Sequence, residues 1–221
     1  MIQFKIDITN ENSVEASFSN IAKQLFKDVK LQVNDGFYRL VDIEFYYFAA
    51  EHHADVYAHQ HLAQLQTGKW YFHGSGLDIT IGNGQDHGGI LIRAIAKISE
   101  AGDPKKFYIE KEIHGPINVK TEICSNLRGV FEEGVNIFRL VDADFEAEKA
   151  PMAPIDYIIN TKRIGLNSAK VGGENLSDKK YRYVVFPSLK LRDKTRIASD
   201  MQAKFGLSDA DINKAMGSKF F

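Results

Sequence analysis

Between Thr67 and Ile95 the chain runs TGKWYFHGSGLDITIGNGQDHGGILIRAI, and no other stretch restricts the fold as much. Two apolar segments, Trp70–Phe72 with Leu77–Ile81 behind it and then Ile90–Ile95, flank a tract in which Gly82, Gly84, Gly88 and Gly89 surround Asn83, Gln85, Asp86 and His87. Glycine adopts positive φ without steric cost, and the β-branched Ile79, Thr80, Ile81, Ile90 and Ile92 favour a pleated surface, so the pattern predicts strand, turn, strand. Arg93 interrupts the second of these strands. An ionised guanidinium inside apolar sequence is costly to bury unless a carboxylate, phosphate or carbonyl meets it, and an acid elsewhere in the chain is therefore expected to answer it.

Candidate acids lie upstream. Leu31–Val33, an Asn34-Asp35-Gly36 turn and Phe37–Tyr47 read as a hairpin, because Asp-Gly between β-formers is a strong reversal signal. Alternation along YRLVDIEFYYF puts Leu40, Asp42, Glu44 and Tyr46 on one face and Val41, Ile43, Phe45 and Tyr47 on the other. Two carboxylates sharing a face fit the solvated side of an edge strand, and a sharper reading needs further residues beside them. Ahead of the hairpin, Val14, Phe18, Ile21, Ala22, Leu25 and Phe26 recur at helical spacing, which predicts an amphipathic helix over Ser13–Lys27 with Ser13 as N-cap.

Composition narrows the class. The 221 residues suffice for one sizeable core, and 44% apolar with 26% charged residues is ordinary for a globular domain, so a single domain over 1–221 is expected. No apolar run approaches the ~20 residues of a membrane span, and MIQFKIDITN lacks the layout of a signal peptide, which together predict a cytoplasmic protein with no membrane partner. The single Cys124 cannot form an internal disulfide and has no CxxC around it. Four of the seven histidines, His52, His53, His59 and His61, crowd into EHHADVYAHQH, but their spacing matches no HExxH motif and Asp55 with His59 also fits a helical turn. No metal is expected. With 28 basic and 29 acidic residues the chain is nearly neutral, which argues against strong non-specific attraction to a polyanion while permitting a local basic face.

Downstream, Ala101-Gly102-Asp103-Pro104 reads as a turn, Lys105–Ile113 as a charged segment, and Gly115-Pro116 as a direction-setting step before Ile117–Ile123, which is helical or a short strand. The tract 146–154 is the best loop candidate, and Ile155–Ile159 resumes strand character. Lys162 and Arg163 precede a Gly/Asn/Ser-rich loop, after which Lys179, Lys180 and Arg182 alternate with Tyr181 and Tyr183. Basic residues interleaved with aromatics suit a nucleic-acid backbone, and a solvated strand face accounts for them equally well. The tail reads as two short helices, the second opening at Ser208 with Asp209 and Asp211 in its first turn.

In this order the pieces resemble the alkyladenine (3-methyladenine) DNA glycosylase family. YRLVDIEFYY looks like the strand carrying that family's catalytic glutamate and following tyrosine, and Asp55-Val56-Tyr57-Ala58-His59 like its Asp-x-x-x-His. GKWYFHGSGLDITIGN resembles its Gly-led aromatic strand, GGILIRAI its Leu-x-Arg-Ala strand, HGPINVKTEI its Gly-Pro helix opening, and KRIGLN with KYRYVVF its closing strands. The resemblance implies an α+β fold, a single domain with a curved antiparallel β-sheet and flanking helices, like the C-terminal domain of formyltransferases.

It also implies a chemistry without cofactor: a damaged nucleotide is flipped out of the duplex, its base stacked between aromatic rings, and a glutamate activates water against C1′. Carried onto this sequence, Glu44 is the base, Arg93 keeps it ionised and positions the water, and Tyr46, His59 and Phe72 enclose the base, with Lys162, Arg163, Lys179, Lys180 and Arg182 as candidates for the phosphate backbone. The sequence departs from the family at His73-Gly74-Ser75-Gly76-Leu77, where a wedge that fills the space of the flipped base is missing. The expected partner is therefore damaged or single-stranded DNA, or a small nucleobase-containing ligand. The alternatives to a DNA N-glycosylase are a nucleoside or nucleotide N-glycosidase and a non-catalytic protein that keeps the pocket to bind a base.

Overall fold

Helix α1 (Glu11–Lys27) packs the predicted face, Val14, Phe18, Ile21, Ala22, Leu25 and Phe26, into the core with no more than 1% of any of them exposed. It starts two residues earlier than its periodicity suggests, because the Asn10 side chain accepts the Ser13 amide and serves as N-cap in place of Ser13. The structure, a computed structural model, describes residues 2–100, 107–143 and 157–220. The expected turn at 101–104 and loop at 146–154 lie outside those residues.

The helix covers one face of a curved, wholly antiparallel sheet that comprises ten strands among the described residues. These are β1 (Val29–Val33), β2 (Gly36–Ala49), β3 (His53–Ala54), β4 (Thr67–His73), β5 (Gly76–Ile81), β6 (His87–Glu100), β7 (Phe107–His114), β8 (Phe138–Asp142), β9 (Ile159–Thr161) and β10 (Arg182–Val184). The main path is β4-β5-β6-β2-β1-β8, with β7 on β6, and with β3 and β10 on β2. The remaining helices are α2 (Pro116–Ser125), α3 (Lys194–Phe205) and α4 (Asp209–Met216), and none of the described helices is long and apolar enough to cross a membrane. The architecture is α+β, with the helices flanking the curved sheet.

The central tract folds as three strands, because β4 and β5 form their own tight hairpin with His73 opposite Gly76. Its glycines divide between two tasks. The reversal occupies only 82–86, whereas Gly88 and Gly89 stand inside β6 opposite Tyr47 and Tyr46. A Cβ on Gly89 would lie 2.6 Å from both Asp78 Oδ2 and Gln64 Nε2, so a bare backbone is needed for those side chains to meet.

The long pairing of β2 with β6 contains one local break. Leu40 faces Ile95 and Ile43 faces Ile92, but between them Asp42 pairs Ala94, leaving Val41 and Arg93 outside the ladder. Freed from it, the Val41 carbonyl accepts the Val185 amide at 3.0 Å and the Arg93 carbonyl accepts the Gly115 amide at 2.8 Å. The second bond holds the start of α2, where Gly115 takes φ 92° ahead of Pro116. Ile117–Ile123 is thus helical. The break lies where β10 runs beside β2, with Arg182 opposite Glu44, and places three chain segments around one cluster of charges.

Candidate functional site

Glu44 is fully buried, and its carboxylate accepts three hydrogen bonds. Arg93 Nη1 donates to Oε2 at 3.2 Å, the Tyr46 hydroxyl donates to the same oxygen at 2.8 Å, and the Ile164 amide donates to Oε1 at 2.7 Å. Asp42 is clasped by Arg182, whose Nε and Nη2 reach its two oxygens at 2.9 and 2.8 Å, while Arg93 Nε stands 3.8 Å away. Arg93 thus touches both acids predicted to share its face. Burial raises the Glu44 pKa above the ordinary glutamate value; Arg93 opposes that shift and the neighbouring Asp42 adds to it. Burial, and then the Glu44 charge, hold the Tyr46 hydroxyl far above the usual phenol range, so it stays a donor.

Three partners of Glu44, namely Tyr46, Arg93 and Ile164, line a cavity of about 240 Å3, while Glu44 itself stands behind them. The volume falls below the roughly 300–1,000 Å3 of common small-molecule sites, which restricts the cavity to a small ligand or part of one. Tyr57 and His59 form another part of the wall, carried by the turn after β3. That turn is pinned by Asp55, which accepts the Tyr57 amide at 3.1 Å and is itself paired with Arg163 at 2.5 Å. The Arg163 guanidinium lies over the Tyr46 ring, 4.6 Å from its centroid, and so fixes one face of that aromatic.

The opposite wall comes from the β4–β5 hairpin. His73 Nε2 is 3.0 Å from Asp78 Oδ1, and Gln64 Nε2, from a single 3-10 turn at Leu62–Leu65, donates to Asp78 Oδ2 at 3.1 Å. The His59 ring meets the His73 ring edge-on at 4.6 Å, and Tyr71 stacks between His73 and His61. Partial desolvation, and then the nearby His73, lower the pKa of the otherwise exposed His59 below the ordinary imidazole value, favouring the neutral ring.

The structure brings Glu44, Arg93, Tyr46 and His59 together and leaves out Phe72. Phe72 is 43% exposed and packs toward Phe138 on the other face of β4, at 5.9 Å between ring centroids. The irregularity between Thr67 and Trp70 sets the phase of this strand, and the ring that faces the cavity belongs to His73. The five basic residues are likewise corrected. Arg163 and Arg182 are buried in ion pairs with Asp55 and Asp42, and the partly exposed Lys162, Lys179 and Lys180 pair with Asp178, Glu11 and Asp200. The two arginines are thereby removed from any surface that a phosphate backbone could reach. Sequence reasoning missed Tyr57, Gln64, His73, Asp78 and the Ile164 amide; Asp78, a lone acid in the apolar LDITI, carried the same signal as Arg93.

No family model matches the sequence. The chain is 28% identical to an uncharacterized protein of Acanthamoeba polyphaga mimivirus over 220 aligned positions, covering 83% of this chain and 92% of that protein.

Proposed function

We propose that the protein is an N-glycosidic hydrolase that releases an altered purine, alkylated or deaminated, from a nucleotide held in the cavity. The reading is carried by the Glu44–Arg93 pair, 3.2 Å apart behind the wall of a small cavity whose aromatic members include Tyr46 and His59. Glu44 Oε1 accepts the Ile164 amide and has lone-pair capacity left for the proton of an attacking water. A pKa raised by burial improves a carboxylate as a base, and the Arg93 charge opposes that rise and favours the ionised form. Tyr46 and His59 would sandwich the base, and a positive charge at Arg93 would hold the water that Glu44 activates.

DNA is the leading substrate, by base flipping, on the resemblance of the whole motif order to alkyladenine glycosylases. A second substrate reading, a free nucleoside or nucleotide, is favoured by one observation: every basic residue named as a backbone contact is paired with an acid. The deciding experiment incubates the protein with single-stranded and duplex DNA containing hypoxanthine or alkyladenine, and in parallel with inosine, and measures free base and alkali-labile sites. Base release that disappears in Glu44→Gln is the expected result. Retention of the oligonucleotide without base release would make the protein a binding module, and release from inosine alone would make it a nucleosidase.

A further inference from the structure

The cavity wall opposite Glu44 holds two donors that the hydrolytic reading does not use, His73 and Asp78, beside His59, which that reading places against the base. From their placement we infer that His59, His73 and Asp78 bind a divalent transition cation, of which Zn2+ is the natural probe. One ligand atom from each residue lies within 4.8 Å of the other two, and all three side chains line the cavity. Metal bonds of about 2.0–2.2 Å place neighbouring ligand atoms roughly 3.0–3.5 Å apart, which the 3.0 Å gap between His73 Nε2 and Asp78 Oδ1 already matches. His59 completes the set by closing about an ångström, a movement open to it as an exposed side chain on a turn.

The surroundings resemble those of a built metal ligand. Asp78 is nearly fully buried and its second oxygen is held by Gln64, so its first oxygen is aimed at His73 and the cavity. Tyr71 stacks on the His73 ring at 5.2 Å and fixes its plane. On binding, the cation takes the place of the proton between His73 Nε2 and Asp78 Oδ1. The ring then carries its proton on Nδ1, and the long 3.3 Å contact from the Ser75 amide to Nδ1 is given up to solvent. Two imidazoles and one carboxylate favour borderline cations over Mg2+ or Ca2+, which prefer all-oxygen shells. The remaining coordination positions face the cavity, where a nitrogen or oxygen of the bound molecule can complete the shell.

The test is calorimetric titration of tag-free, EDTA-treated protein with ZnCl2 and, separately, MgCl2. One Zn2+ per chain and no Mg2+ are expected, with affinity weakened about tenfold or more in both His59→Ala and Asp78→Asn. His52→Ala, at an exposed histidine beside Glu51 and outside the set, should leave the affinity unchanged. Absence of saturable Zn2+ binding, or binding undiminished in both variants, overturns the site. Visible absorption of the Co2+ form provides a second readout should Asp78→Asn fold poorly, because His59→Ala alone must then abolish the spectrum of the wild-type complex. Cation binding is read without turnover, so it stands or falls separately from the N-glycosidic reading.

Discussion

Glu44 makes its demands at the level of single atoms: a carboxylate with no exposed surface and three donors, one of them an arginine at 3.2 Å. Replacing it with glutamine keeps the shape and removes the base, so turnover should fall by ~10²–10⁴ while binding of the base survives, as measured by steady-state release and by calorimetry. Its raised pKa fixes the sign of the pH dependence. The ionised form is the active one, so kcat/KM should climb as pH rises through a value above that of an ordinary glutamate, and a profile already flat at the ordinary value would place the essential base elsewhere. Asp55 tests structure rather than chemistry. Its carboxylate and the Arg163 guanidinium are both fully buried, and removing one partner strands the other, so Asp55→Asn should cost about 3–5 kcal/mol in urea unfolding. At this scale the sequence was legible where a charge stood inside an apolar run, since Arg93 had to find an acid and found Glu44. It was illegible where the answer depended on strand phase. Nothing in WYFHG says which of Phe72 and His73 faces inward, because a skipped pairing three residues earlier decides it.

Among the elements, α1 was readable because its apolar period is uninterrupted over four turns of core contact. Its cap was misassigned by three residues, since both Asn10 and Ser13 are good capping residues and only the folded backbone chooses between them. Removing the chosen cap with Asn10→Ala should cost about 0.5–2 kcal/mol, and the same change at Ser13 less, by thermal unfolding. The glycine tract was read as a turn, and half of it is strand. Glycine signals positive φ and close approach with the same letter, and Gly88 and Gly89 are there for close approach. Gly89→Ala should therefore push Asp78 and Gln64 apart and cost about 1–3 kcal/mol, with a larger proportional loss in binding at the cavity than a substitution at open Gly84. Gly84→Ala is the control that separates crowding from φ, since a Cβ there meets nothing within 4 Å although φ is 94°.

Over the whole molecule, the α+β class with its curved antiparallel sheet followed from alternation, turns and the resemblance, all of which are local or ordinal signals. The distribution of charge was not local, and the sequence misled there. Lys162, Arg163, Lys179, Lys180 and Arg182 are close in sequence, yet each is paired with an acid, and all but Lys162 with one from another part of the chain. Binding to undamaged duplex should accordingly be weak and only mildly salt-sensitive, losing about tenfold between roughly 50 and 200 mM salt, where a protein with many phosphate contacts loses ~10³–10⁵. A steep slope in a filter-binding titration would mean that a basic surface forms by rearrangement. The break between β2 and β6 also constrains how such a chain can change over generations. It omits one residue from each strand, so the ladder resumes in the same register on either side. Deleting Val41 alone would turn Glu44 and Tyr46 away from Arg93, and deleting Val41 together with Arg93 would restore the register with the arginine gone. A single insertion or deletion between Leu40 and Glu44 breaks the pair, so a chain that keeps Glu44 against Arg93 has to keep this stretch of β2 at fixed length.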